Sequence, residues 1–202
     1  FKKVKKSLLE GSTLQKFDYF DKKQHGTQDF PVEYYYVDRN HLRYQMAVHW
    51  HNEWEILRVI KGEFIITLND KQFKMLEGDI VLIPGETLHG GEPQDCVYEC
   101  LVFDLYGIFR NIEMVKPYLR PFYRQTYLPK SFYGAGTSPE IAATVGALMG
   151  AFSKGSHCVE LETVAGLSRL FSWIQNTGAY EPASPEEVGS GRTDRIKPVL
   201  EF

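Results

Sequence analysis

Cysteine is scarce in this chain, and the three present, Cys96, Cys100 and Cys158, are odd in number and show no Cys-x-x-Cys spacing. Cys96 and Cys100 fall in one strand-like run, where four residues of rise would hold them about 13 Å apart, beyond disulfide reach. A reducing, cytoplasmic setting is therefore expected. An excess of one charge sign is also lacking. With 23 basic and 26 acidic residues the formal charge is −3, which gives no global attraction for nucleic acid. Any DNA-reading part is expected to lie outside this sequence. No apolar run approaches the length of a membrane span, and Phe1-Lys2-Lys3-Val4-Lys5-Lys6 lacks the apolar stretch of a signal peptide. The first residue is Phe1 and not Met, which reads as a trimmed start.

What is present is enough apolar material, 43% of 202 residues, for one well-buried core with a smaller helical appendage. From Phe30 to Leu105 short runs rich in Val, Ile, Tyr and Phe alternate with turn signals. The runs are Val32 to Val37, Leu42 to Trp50, Glu55 to Ile60, Glu63 to Leu68, Gln72 to Leu76, Ile80 to Ile83 and Val97 to Leu105. Lys61-Gly62 reads as a turn between two of them, and Asn69-Asp70 as a two-residue hairpin loop. Closely spaced strands with no helical period between them predict an all-β sandwich or barrel.

After Leu105 the pattern changes. Ser138-Pro139 reads as an N-cap with proline at the first helical position, and Ile141, Val145, Leu148, Met149 and Phe152 recur at helical spacing until Gly155. A second helix is predicted from about Val159 to Thr177, stopped by Gly178. The two would form an antiparallel pair. Ala142, Gly146 and Gly150 make a small-residue row along which another helix could approach. From Ala179 to Thr193 the Glu, Pro, Ser and Gly content reads as a linker. Asp194 to Phe202 resumes an amphipathic helical pattern, so a further domain is expected beyond it, and the chain is expected to be a fragment.

The most chemically loaded stretch is His49-Trp50-His51-Asn52-Glu53-Trp54-Glu55, joined by His89 in a later segment, Gly78 to His89. Histidines two apart on a strand share a face; Glu55, past a short turn, aims back at the same volume, and His89 closes the set. Three imidazoles and one carboxylate suit Zn, Ni, Mn or Fe at about 2.0–2.2 Å and leave a coordination position open. Without a metal the same groups would hydrogen-bond one another and water in a barrel mouth. His25, His41 and His157 fall outside this pattern and read as surface residues. Strand parity adds Gln45 and Arg43 to the face of His49 and His51, where Arg43 could pair with an acidic effector or, at the rim, with Asp or Glu.

These residues resemble the two cupin motifs, His-x-His followed by Glu and Gly62, and Gly78, Pro84 and His89. Arg43, Glu86 and Pro93 depart from the pattern where it has Gly, Gly and Asn. A broader resemblance covers nearly the whole chain and is to the sensor half of AraC-family transcriptional regulators. It is carried by His49 through Gly62, Gly78 through His89, the helix pair, the linker, and Arg195-Ile-Lys-Pro-Val-Leu-Glu-Phe202, which is similar to the opening of that family's DNA-binding domain.

The resemblance implies a mainly β fold with C-terminal α structure, a cupin-like β-barrel (double-stranded β-helix) followed by an antiparallel helical hairpin. Its divisions would be an N-terminal arm (1–29), an effector-binding barrel (30–106), a helical dimerisation region (107–178), and a linker with the start of a truncated helix-turn-helix domain (179–202). It further implies a non-enzymatic, homodimeric module that binds a small-molecule effector, a sugar or a small acid, through Arg43, Gln45, His49, His51, Glu55 and His89. DNA would be contacted only through the absent domain. The last four of those residues are the candidate divalent-metal ligands. The competing reading is a metal-dependent cupin enzyme, an oxygenase or sugar isomerase using the same four ligands; a purely structural dimerisation module would leave the polar cluster unexplained.

Overall fold

The structure is a computed structural model and describes residues 19–183. In chain order the elements are β1 (Val32–Val37), β2 (Met46–His49), β3 (Trp54–Leu68), β4 (Lys71–Met75), β5 (Ile80–Ile83) and β6 (His89–Phe103), then α1 (Leu105–Phe109), a 3-10 turn (Glu113–Val115), α2 (Lys116–Tyr123), β7 (Tyr127–Pro129), β8 (Phe132–Tyr133), α3 (Pro139–Ser153), α4 (Val159–Thr177) and β9 (Tyr180–Pro182). A seven-stranded sheet runs β1-β6-β3-β5-β8, with β2 also on β6 and β4 also on β3. Its pairings are antiparallel.

The two long strands, β3 and β6, organise the sheet. Val59 pairs with Tyr98 and Lys61 with Val97, so β3 carries an extra residue there; Glu63 then pairs with Gln94, which returns the extra residue to β6. Each bulge bends its strand and switches which face the following side chains occupy. On β3 the inward set passes from Leu57 and Val59 to Phe64 and Ile66; on β6 it passes from Cys96 back to Gly91 and His89. Gly62 (φ +82°) is required here, because a Cβ would lie 2.2 Å from the Asp95 carbonyl oxygen, and Asp95 itself sits at φ +47°.

The expected turn at Lys61-Gly62 is thus a bulge inside one continuous strand, because the neighbouring strand supplies backbone partners on both sides. The expected strand Leu42–Trp50 shortens to β2. Residues before Met46 fold into a turn instead, in which the Tyr44 hydroxyl accepts from the Cys96 amide (3.0 Å) and the Tyr44 carbonyl accepts from the Tyr98 hydroxyl (2.9 Å), and Leu42 stands fully exposed. The last predicted strand begins earlier, at His89, and stops before Leu105, where the Asp104 side chain accepts from the Gly107 amide (2.9 Å) and starts α1. The Asn69-Asp70 loop joins β3 to β4 with Leu68 opposite Lys71, as the sequence suggests.

The sheet buries both faces. Inside lie Leu57, Val59, Phe64, Ile66, Val81, Ile83 and Tyr98; outside, Ile56, Leu82, Leu101 and Phe103 pack against Phe122, Val145 and Phe171 of the helices. A strand covered on both faces is continuously apolar, which is why Ile80-Val81-Leu82-Ile83 shows no alternation. α3 begins at Pro139 as expected, although the Ser138 side chain makes no capping bond, and Gly178 (φ +64°) ends α4. The two helices pack on each other, with Leu148 against Gly166. No described helix is long and apolar enough to cross a membrane.

Three further expectations change. A Cβ on Gly146 would lie 2.9 Å from Arg58 Nη1, so the small-residue row at that point faces the sheet of its own chain and not a second helix. The region 107–178 is not purely helical, since β8 pairs with β5. The linker does not begin at Ala179: β9 pairs with β7, and Tyr180 packs its ring against Phe122 and Tyr127, apolar contacts that local composition does not reveal. The expected arm before residue 19, the rest of the linker, and the tail helix from Asp194 lie outside the described residues.

The bulge yields a direct prediction. Gly62→Ala is expected to destabilise the protein by about 2–4 kcal/mol in urea unfolding, combining positive φ with a backbone clash. Gly155→Ala, also at positive φ but with open space around its Cβ, is expected to cost only the conformational penalty of about 1–2 kcal/mol. Equal effects would show that the close approach to Asp95 does not hold the bulge.

Candidate functional site

The four predicted ligands come together although they arise from separate segments. His49 ends β2, His51 follows it, Glu55 is the second residue of β3, and His89 opens β6 opposite His49. The loop carrying His51 is held by the Glu86 amide donating to the His51 carbonyl (2.7 Å). It also passes so close to Gly85 that a Cβ there would lie 2.1 Å from the Asn52 carbonyl oxygen. Glu86, where the cupin motif has glycine, adopts φ +65°, so the backbone shape that glycine favours is kept by a glutamate.

One candidate donor atom from each of the four residues lies within 4.8 Å of the others. His51, Glu55 and His89 are buried and His49 is half-buried. Each imidazole has its Nδ1 against a backbone carbonyl: His49 on Ala47 (2.8 Å), His51 on Glu53 (3.0 Å) and His89 on Thr87 (2.8 Å). A carbonyl can only accept, so these Nδ1 atoms carry the protons and each Nε2 is left for the centre. There, His51 Nε2 lies 3.2 Å and His89 Nε2 3.3 Å from the same Glu55 oxygen, Oε2. Two imidazole nitrogens beside one carboxylate oxygen suit a proton on the His51 ring or a metal ion held between them.

The electrostatics agree. Burial by itself would raise the Glu55 carboxyl, but the hydrogen bond from His51 and the neighbouring His89 hold it well below the ordinary carboxylate range. Burial also pulls His51 down, and the bond to Glu55 outweighs it and raises the imidazole above its ordinary value. Burial, together with His89 as a like charge, lowers His49 to about 4.

His49, His51 and Glu55 of the cluster line a cavity of about 260 Å³ whose other walls include the apolar Val37, Met46 and Val102 together with Tyr35, Tyr98, Asp21, His25 and His41. Arg43 and Gln45 line the same cavity, but strand parity does not put them there, because the strand starts after both. Arg43 sits in the preceding turn, 63% exposed, with Nη1 3.5 Å from Asp21 Oδ2, so the rim pairing holds.

Several cavity residues were missed, His41 and Asp21 among them, and two bear directly on the cluster. His25, read from the sequence as a surface residue, is 4% exposed, its ring centroid 5.4 Å from that of His51 and its Nδ1 3.2 Å from both the Tyr35 hydroxyl and Glu33 Oε2. It arrives on a segment before β1, fixed by the Asp21 amide donating to the Trp50 carbonyl (2.9 Å), and no local periodicity marks it. Cys100, buried beside Glu55, has its thiol pushed well above the ordinary value by burial and by the Glu55 charge. Its alternation with Tyr98 and Val102 was the available signal.

His49 gives the pH prediction. In the unfolded chain it takes up a proton near pH 6.5, in the folded protein only near 4. Its contribution to stability is thus fully present above pH 6.5 and is lost as pH falls toward 4. In chelator-treated protein, His49→Gln is expected to flatten the fall in unfolding free energy across that window; identical pH slopes for the two proteins would refute it.

Among solved structures, oxalate decarboxylase from Bacillus subtilis, at pH 4.6 and as a mutant, is similar at 22% identity with a TM-score of 0.28, over 30% of this chain and 18% of that chain. Overlap this partial bears on neither fold nor function. The uncharacterized HTH-type transcriptional regulator YdeC of Bacillus subtilis (strain 168) is 28% identical over 113 residues, 54% of this chain and 38% of the relative. The chain thus spans little more than a third of that relative's length. Residues 31–171, from the residue before β1 through the His/Glu cluster and into α4, match the AraC-like ligand binding domain, and the chain belongs to that family.

Proposed function

We propose that this chain is the effector-sensing part of an AraC-type transcription regulator, a cupin-like barrel with a helical hairpin. A metal-associated small molecule in its cavity would control DNA binding by a helix-turn-helix domain elsewhere in the protein. The observation that carries this reading is the cluster itself: three imidazoles with Nδ1 committed to carbonyls, two of them with Nε2 within 3.3 Å of one buried carboxylate, beside a cavity, in a family defined by ligand binding. The residues fit a divalent ion, since neutral imidazole and carboxylate suit Zn, Ni, Mn and Fe, and a contraction of a few tenths of an ångström brings 4.8 Å within the span of bonds of about 2.0–2.2 Å. His49, His51, Glu55 and His89 would hold it, and the ion would supply a charged anchoring point for the effector. We read the site as one of binding and not turnover, because the family match is to a ligand-binding domain and the relative is a regulator.

Binding can alter DNA affinity only if the effector prefers one of two arrangements of the protein. The helices are the natural relay, since α3 rests on the sheet whose other face lines the cavity. A dimer formed through α3 and α4 would place two DNA-binding heads, and Leu161, 68% exposed on α4, is the apolar side chain available to it.

Two outcomes are expected. This chain retains duplex DNA only non-specifically at physiological salt, whereas the full-length protein binds its operator with an affinity that changes at least about fivefold when metal is chelated. Near-stoichiometric metal in the isolated protein, lost in His51→Ala and accompanied by a lower Tm on chelation, is the corresponding direct measurement. Operator binding indifferent to both metal and cavity ligands would refute the reading. For the dimer, Leu161→Glu is expected to weaken self-association at least about tenfold in sedimentation, because a carboxylate would be buried unpaired; an unchanged constant would move the interface away from α4.

A further inference from the structure

The walls of the cavity restrict what the effector can be, once the metal site proposed above is accepted. A divalent ion on neutral imidazoles contributes two positive charges and Glu55 removes one, which leaves a single net positive charge against the cavity. Asp21 also lines the cavity, but its carboxylate is engaged by Arg43 and by the Lys23 amide (2.9 Å) and does not offset it. Arg43 is paired with Asp21, and Glu53, 3.8 Å from His51 Nδ1, stands behind that ring and outside the cavity lining. An isolated charge in an apolar enclosure is costly, and one monoanion on the ion neutralises it.

The rest of the surface is set by the inward rungs of the sheet. Tyr35 pairs with Cys100 and Val37 with Tyr98 between β1 and β6, Val102 faces Glu55 across β6 and β3, and Met46 closes the side from β2. Hydroxyls of a sugar lying against Val37, Met46 and Val102 would lose their hydrogen bonds to water without replacement, each at a cost of roughly 1–3 kcal/mol; of the polar residues that also line the cavity, Arg43 and Gln45 are exposed and His25 is set against the Tyr35 hydroxyl. A compact hydrocarbon body loses nothing there and gains from burial. The volume of about 260 Å³ is small, just below the range of about 300–1,000 Å³ usual for ligand cavities.

We propose that the effector is a small monocarboxylic acid with an apolar body, its carboxylate on the metal at His49, His51, Glu55 and His89 and its body against Val37, Met46 and Val102. The acid and the ion bind as a pair. Without the ion, the carboxylate would meet Glu55 at close range in a nonpolar cavity.

The test is calorimetric titration of the zinc-loaded protein with benzoate, benzamide and xylose. Benzoate is expected to bind at least about tenfold more tightly than benzamide, and xylose to give no measurable heat. Benzoate binding should vanish in chelator-treated protein. Met46→Gln should weaken benzoate at least about fivefold while zinc stoichiometry stays the same, which separates loss of the apolar wall from loss of fold. Xylose binding as tightly as benzoate, benzoate binding equally well without zinc, or no benzoate binding to zinc-loaded protein would each overturn the inference and leave the metal site standing. Failure of zinc itself to bind would overturn both the metal site and the acid.

Discussion

The paired bulges where β3 and β6 cross, at Lys61-Gly62 and Asp95, set the geometry on which the cavity depends. Side chains alternate along a strand, so Cys96 and His89, seven apart, would face opposite sides of an unbroken β6. The extra residue at Asp95 brings His89 to the inner face, opposite His49, and the matching extra residue on β3 keeps Phe64 and Ile66 inside with it. Had either strand run straight, the third imidazole would point at solvent or at the helices. The absence of a Cβ at Gly62 permits the close approach that the double bulge demands.

Within that frame the cluster is a set of acceptors arranged around a space that needs positive charge. Backbone carbonyls occupy the Nδ1 side of all three rings, and Glu55 occupies the centre, buried to 2% exposure. A carboxylate so enclosed is stable only with its neighbours protonated or with a cation among them. His49 and His51 are displaced in opposite directions: burial and the like charge of His89 lower the first, and the bond to Glu55 outweighs burial and raises the second.

The outer face carries a second buried polar group. Arg58 donates to Glu99 Oε2 through Nε (3.1 Å) and Nη2 (2.6 Å), and the Tyr34 hydroxyl donates to Glu99 Oε1 (2.6 Å). Gly146 of α3 lies directly over the guanidinium. Glu55 and Arg58 stand three apart on β3, one inward and one outward, so the strand that carries the cavity carboxylate also carries the group beneath α3. Two Arg58 nitrogens share the one oxygen Oε2 while Tyr34 takes the other, so the guanidinium is held in place where Gly146 of α3 approaches it.

The grouping of His49, His51, Glu55 and His89, the β character of residues 30–105 and the two long helices were legible in the sequence, because each rests on local spacing: His-x-His on a strand face, short runs between turns, a 3.6-residue period after Ser138. Other features were not local. Lys61-Gly62 has the composition of a turn and becomes a bulge because a neighbouring strand binds both sides of it. Tyr180 sits in linker-like sequence and forms a strand because Phe122 and Tyr127 shelter its ring. His25 has no pattern around it, and only the pairing of its segment with Trp50 carries it to His51. The sequence by itself determined which residues have metal-binding chemistry and which secondary structure bears them. Tertiary structure alone decided that Arg43 stands at the rim, that Gly146 meets Arg58 of its own chain, and that His89 faces inward. The physical reason is that inward or outward orientation depends on strand register, and register is set by partners distant in the chain.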